Sequence, residues 1–194
     1  KPRGSYIREI KEASDSDKLC RWFLEKTREI CQCAGTEKKK EMEYLVDTVR
    51  KYIDENYQKD ISLDEISRMV NISPYYFSKL FKQGTGENFI EYLTRTRMRQ
   101  ACVCLRNPDY SIKQICAMVG YSDPNYFSRI FKKYVGLSPS RYLTKIRMEK
   151  ACQLIKNHPE IQVKEVADQV GYKDIHYFSK VFRKEMGVWP SEYK

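Results

Sequence analysis

The sequence predicts an all-α protein built from three helix-turn-helix units in tandem, joined by long connector helices. Three observations lead there. The core Tyr76-Phe77-Ser78-Lys79 returns as Tyr126-Phe127-Ser128-Arg129 and again as Tyr177-Phe178-Ser179-Lys180, at spacings of 50 and 51 residues. Around each copy, apolar residues recur at i, i+3 and i+4, a spacing that a helix gathers onto one face. Between them stand Asn or Gly where the chain turns, and Ser, Asp or Pro where a helix starts.

Each copy opens with a short helix. Ser62 with Glu65, and Ser111 with Gln114, have the Ser-x-x-Glu/Gln spacing of a capping box. Leu63, Ile66 and Val70 form the apolar stripe of the first copy. Ile112, Ile115 and Val119 repeat it, as do Val163, Val166 and Val170. Asn71-Ile72, Gly120-Tyr121 and Gly171-Tyr172 follow as turns, because Asn and Gly tolerate the left-handed conformation a sharp helix–helix turn requires.

The second helix of each copy starts at Ser73-Pro74 in the first and at Ser122-Asp123-Pro124 in the second. Phe77, Leu80 and Phe81 are its predicted core stripe, repeated as Phe127, Ile130, Phe131 and as Phe178, Val181, Phe182. Gly86, Gly136 and Gly187 are the expected stops. Connector helices are predicted over residues 88–106 and 138–156, matched in length and in the motif Arg-Met-x-x-Ala-Cys. A lead-in helix is predicted over 43–57, with Met42, Leu45, Val46, Val49 and Ile53 on its buried face. The third copy departs at its helix start, with Ile175 in place of Pro124 and Trp189 in place of Ser138.

Composition bounds the function. Apolar residues make up 41% and charged residues 32%, which suits a folded soluble chain rather than a disordered one. No apolar run reaches the roughly 18–20 residues of a membrane span. The polar start, beginning at Lys1, has no signal-peptide core and is read as that of a fragment. The seven cysteines fit free thiols in a reducing cytoplasm, and the two Cys-x-Cys pairs (31/33 and 102/104) read as buried apolar thiols. Residues 1–58 carry 13 Lys and Arg against 12 Asp and Glu, so nearly all of the net charge of +10 lies in the repeats. That excess suits a polyanion, whether nucleic acid or anionic lipid.

Residues 61–141, with ISLDEISRMVNISPYYFSKLFKQGTGENFIEYLTRTRM, the connector, and SIKQICAMVGYSDPNYFSRIFKKYVGLSPSRY, closely resemble the DNA-binding domain of the AraC/XylS family of transcription regulators. That family pattern holds two helix-turn-helix units, whereas this chain has a third. Residues 17–37, with Leu19, Trp22, Phe23 and Ile30, read as the tail of an upstream domain. The layout is similar to AraC-type response regulators, whose receiver domain would precede Lys1. The expected division is therefore 1–37, a tail or helical linker; 38–107, lead-in helix, first unit and connector; 108–157, second unit and connector; and 158–194, third unit.

With the apolar stripe facing inward, the opposite face of each second helix is left for DNA. It offers Tyr75, Ser78, Lys79 and Lys82 in the first copy. The second offers Asn125, Ser128, Arg129 and Lys132, and the third His176, Ser179, Lys180 and Arg183. The resemblance implies base reading by Tyr75, Ser78 and Lys79, and by Pro124, Asn125, Tyr126 and Arg129. Those side-chain types suit it: Arg or Lys pairs with guanine O6/N7, Asn with adenine N6/N7. Arg95, Arg97, Arg99, Lys145, Arg147 and Lys150 on the connectors are phosphate candidates.

The expected activity is sequence-specific binding of double-stranded DNA to regulate transcription, in the cytoplasm, without a cofactor or a membrane. RNA polymerase and a second copy, joined through an upstream region, are further expected partners. With two histidines and no phosphate-cradling glycine loop or nucleophile elbow, an enzyme is not expected. The alternative is a helical-repeat interaction module whose third unit binds a protein.

Overall fold

The computed structural model of the chain describes residues 16–107 and 110–193. Expectations placed on residues 1–15 lie outside them. Regular structure among the described residues is entirely helical: α1 (Ser16–Asn56), α2 (Leu63–Met69), α3 (Pro74–Thr85), α4 (Phe89–Cys104), α5 (Ile112–Met118), α6 (Pro124–Val135), α7 (Pro139–Asn157), α8 (Val163–Gln169), α9 (Ile175–Met186) and a 3-10 turn, Pro190–Glu192. None of these helices is long and apolar enough to cross a membrane. The lead-in helix expected over 43–57 is the end of α1, which runs without a break from Ser16.

Local chemistry sets the helix ends much as the sequence indicates. Ser62, Ser73, Ser111 and Ser138 each accept a hydrogen bond from a first-turn backbone amide. Ser111 and Gln114 complete their capping box. The Ser62–Glu65 box is only half formed, because the Glu65 carboxylate accepts from the Tyr52 hydroxyl of α1 at 2.9 Å instead. The three turns superpose in their bonding: Ile72, Tyr121 and Tyr172 amides each reach back to the carbonyl five residues earlier, at 2.9–3.0 Å. Asn71, Gly120 and Gly171 take the left-handed conformation there. In the third copy Asp174 caps α9, so Ile175 starts that helix in the register of Pro124.

Each unit has its own core. Val49 and Ile53 of α1 pack with Ile66, Phe77, Phe81, Phe89 and Tyr92. Met98, Ala101 and Leu105 pack with Ile115, Val119, Phe127 and Phe131. Met148, Ala151 and Ile155 pack with Val166, Val170, Phe178 and Phe182. A tyrosine closes each core edge-on against the second phenylalanine: Tyr92 on Phe81, Tyr142 on Phe131 and Tyr193 on Phe182, with centroids 5.4–5.7 Å apart. The connectors serve two cores each. The start of α4 belongs to the first core and its end to the second, and α7 bridges the second and third in the same way.

The connectors differ in length, at 16 residues for α4 and 19 for α7, or about 24 and 28 Å at ~1.5 Å per residue. α4 leaves the helix at Leu105, three residues before Pro108, whereas α7 continues until His158, next to Pro159. Equal connectors were expected from the shared motif, which lies upstream of the point where they diverge.

The joint between the first two units is close-packed. Arg97 of α4 donates from Nε to the Tyr57 carbonyl and from Nη2 to the Lys59 carbonyl, both at 2.7 Å. Tyr57 packs against the first and the second core. Gly120, at the second turn, fits under this arrangement: a Cβ there would lie 2.7 Å from the Gln58 carbonyl oxygen and 3.1 Å from the Arg97 guanidinium. Gly136 shares the same backbone conformation, but open space surrounds its Cβ direction. Gly136→Ala should therefore cost only the left-handed strain, about 1–2 kcal/mol in urea unfolding. Gly120→Ala should cost clearly more; equal losses would show that the joint is not close-packed. Phe127→Ala, which empties a fully buried site, should cost about 3–5 kcal/mol in the same assay.

Candidate nucleic-acid interface

The inward stripe fixes the outward face of α3, α6 and α9. With Phe77, Leu80 and Phe81 buried, Tyr75, Lys79 and Lys82 stand exposed on α3. Pro124, Asn125, Tyr126, Arg129 and Lys132 are exposed on α6, and His176, Lys180 and Arg183 on α9. Ser78, Ser128 and Ser179 sit half-buried at the edge of each face. Ser179 turns its hydroxyl inward, donating to the Ile175 carbonyl at 2.8 Å. The sequence-predicted residues thus gather on equivalent faces of three helices, one set per unit.

The helices are not dressed alike. The Arg129 guanidinium lies over the Tyr126 ring, 5.3 Å from its centroid, within the same face. Arg183 lies over Trp189, at 4.6 Å, which draws it toward the C-terminal end of α9. At the start of α9, Asp174 accepts from the His176 and Tyr177 amides at 2.8 and 3.0 Å. Those bonds hold the Asp174 carboxyl below its ordinary range and keep it anionic at the positive end of the helix dipole. Asp123 caps α6 through the Asn125 amide, and Ser73 caps α3 through Tyr76.

Five of the six connector phosphate candidates are engaged by groups of the protein itself, and Lys145 stands exposed. Arg97, a phosphate candidate from sequence, is committed to two carbonyls inside the protein, and its guanidinium lies over Tyr121. Arg95 pairs with Glu87 at 2.6 Å, and Arg99 with Asp54 at 3.3 Å. Lys150 donates to the Gln169 carbonyl, and Arg147 stacks over Tyr172. Arg97 and Arg147 sit where the next unit docks on the connector, each under a tyrosine of that unit's turn, whereas Arg95 and Arg99 form exposed pairs with carboxylates of the first unit and of α1. The recurrence of Arg97 with Tyr121, and of Arg147 with Tyr172, at the repeat period was the signal for this role.

Cysteine placement also differs from expectation in part. Cys116 is buried and Cys102 half-buried, and burial raises both thiols above their ordinary range. Cys31 is exposed on α1, whereas the sequence reading buried it; the side chain of Cys33 lies outside the description. In that part of α1 Phe23 and Leu24 are 56% and 64% exposed, and the Phe23 ring meets Trp22 edge-on at 5.2 Å.

A family model described as a helix-turn-helix domain matches residues 66–145 and again residues 129–194. The chain belongs to the AraC/XylS family of helix-turn-helix regulators. The two matches overlap over residues 129–145, the end of α6 and the start of α7. Over 150 residues the chain is 37% identical to the HTH-type transcriptional regulator YijO of Escherichia coli, covering 77% of this chain and 35% of the relative. Over 148 residues it is 40% identical to the transcriptional regulatory protein YesN of Bacillus subtilis, covering 75% and 27%. The C-terminal domain of AraT, a response regulator from Geobacillus stearothermophilus, is similar in structure. Its TM-score is 0.51 at 36% identity, covering 52% of this chain and 84% of that one. The family and these relatives are transcription regulators, not enzymes. The chain spans between 24% and 35% of the length of the first curated relatives it matches.

The cap on α9 gives a pH test. A carboxyl with a lowered folded pKa adds stability above its unfolded value, near 4, and loses it as pH falls through the folded value. Asp174→Ala should therefore lower the melting temperature at pH 7, and the gap to wild type should narrow below about pH 4. A gap independent of pH would remove the ionised cap from the account.

Proposed function

We propose that this chain is the DNA-binding part of a cytoplasmic transcription regulator that reads double-stranded DNA with sequence specificity, one recognition helix per major groove. The observation that carries the reading is the threefold recurrence of one exposed polar face, each held in register by its own phenylalanine pair. Those faces lie in the part of the chain that holds 23 Lys and Arg against 14 Asp and Glu (residues 59–194).

Within the faces, Arg129 and Lys79 are the purine-reading candidates, and Asn125 suits adenine. Tyr75, Pro124, Tyr126 and His176 supply ring and apolar surface against bases. Ser78, Ser128, Ser179, Lys82, Lys132, Lys180 and Arg183 complete the contact set, the cations at helix ends meeting phosphates. The working division into 38–107, 108–157 and 158–194 follows the three units. Residues 1–37 act as a link to whatever region supplies the signal. A homodimer and RNA polymerase are the further partners this reading adds.

Phosphate contact by several cations makes affinity depend on salt, with log K falling by about 0.9 per log unit of salt for each phosphate neutralised. A slope of magnitude about 5 or more is expected on duplex DNA in a fluorescence-anisotropy titration. A slope near zero would remove the reading. Arg129→Ala should cost about 1–3 kcal/mol on the selected operator and relax preference at one base pair. An equal loss on operator and random DNA would make Arg129 a phosphate contact instead.

A further inference from the structure

The second unit contains a row of two tyrosine rings with an arginine at each end, which neither of the other two units completes. It begins in the joint, where Arg97 is fixed by the Tyr57 and Lys59 carbonyls. The Arg97 guanidinium lies over the Tyr121 ring, 5.2 Å from its centroid. Tyr121 is half-buried, packs on Phe127 at 5.8 Å, and meets Tyr126 at 5.9 Å. Tyr126 carries Arg129 at 5.3 Å. Burial pushes the Tyr121 phenol above its ordinary range, so this ring stays neutral beneath the Arg97 guanidinium.

The other copies show what each rung contributes. In the first unit Ile72 takes the place of Tyr121, and among the described residues no cation lies over Tyr76. In the third unit the stack starts in the same way, with Arg147 over Tyr172 at 5.2 Å and Tyr172 against Tyr177 at 5.9 Å. It stops there: Lys180 stands where Arg129 does, and among the described residues no cation lies over Tyr177. The stack thus reaches a candidate base-reading side chain only on α6. A free arginine has many rotamers, and ordering it at the moment of binding opposes association. One already held against a ring by cation–π attraction loses less freedom when it meets a base edge.

We infer that Tyr126 is a positioning residue for Arg129, and that the stack from Arg97 through Tyr121 and Tyr126 makes α6 the most discriminating of the three helices. This inference rests on the proposed reading of Arg129 as a base contact. It assigns Tyr126 a role through Arg129 beyond any ring surface it offers a base, and it makes Arg97 a brace for specificity rather than a phosphate ligand.

The test is a double-mutant cycle in the whole chain, measured as the affinity ratio between the selected operator and each single-base variant of the second subsite. Arg129→Ala first identifies the base pair that Arg129 reads. Tyr126→Leu should lower discrimination at that pair by roughly three- to tenfold, as expected for loss of a cation–π contact. Tyr126→Phe, which keeps the ring, should preserve it. In the Arg129→Ala background, Tyr126→Leu should have no further effect at that pair. Tyr126 is 44% exposed, so leucine has room there, and a thermal melt checks the fold. Equal effects of Tyr126→Leu in both backgrounds, or a Phe variant that behaves like Leu, would overturn the inference while leaving Arg129 as a base contact. If Arg129→Ala leaves every base preference unchanged, the base-reading assignment fails and the positioning role falls with it.

Discussion

Burial of two phenylalanines one helical turn apart is the interaction on which the rest of this molecule depends. Phe77 with Phe81, Phe127 with Phe131 and Phe178 with Phe182 are all fully buried. In each unit they press one side of a 12-residue helix against a connector and a short first helix. Because side chains three and four residues apart share a face, fixing that side inward fixes every other position outward. The polar faces of α3, α6 and α9 are therefore consequences of the core.

A second constraint comes from sharing. A connector that belongs to two cores cannot rotate for one unit without disturbing the next. The joints are nonetheless unequal. At the first, Tyr57 packs into both flanking cores and Arg97 bonds two carbonyls. At the second, Arg106 replaces Tyr57 in sequence, and a cleft of about 400 Å³ opens between Leu105, Leu143, Ile146 and Val170. The buried Arg147 Nε has no hydrogen-bond partner there, and an exposed Arg141–Glu185 pair at 2.8 Å ties α7 to α9. Exposed pairs of that kind contribute little and weaken with salt.

Much of the fold was legible because the repeat states its own grammar three times. Capping residues, left-handed turns and the i, i+3, i+4 stripe are local signals, and in a repeat each is checked against two others. Glu65 shows where locality ends: its spacing from Ser62 promised a reciprocal cap, but Tyr52 on a distant turn of α1 took the carboxylate. The candidate face was legible for the same reason as the core, being its complement. The roles of Arg97 and Arg147 were not, because their partners are backbone carbonyls and rings about 20 to 40 residues away, which no helical period reports. The third unit was harder to place, since Ile175 and Trp189 break the pattern. Asp174 and Tyr193 restore the cap and the closing aromatic, so that unit is structurally the equal of the others.

What this equality means for function is decided on DNA. Hydroxyl-radical footprinting of the whole chain on an operator selected from random sequence tests it most directly. Three recognition helices in successive grooves predict three clusters of protection, spaced by about 10–10.5 base pairs and spanning roughly 30. Two clusters spanning about 20 base pairs, unchanged by Lys180→Ala together with Arg183→Ala, would contradict the claim that the third unit reads DNA.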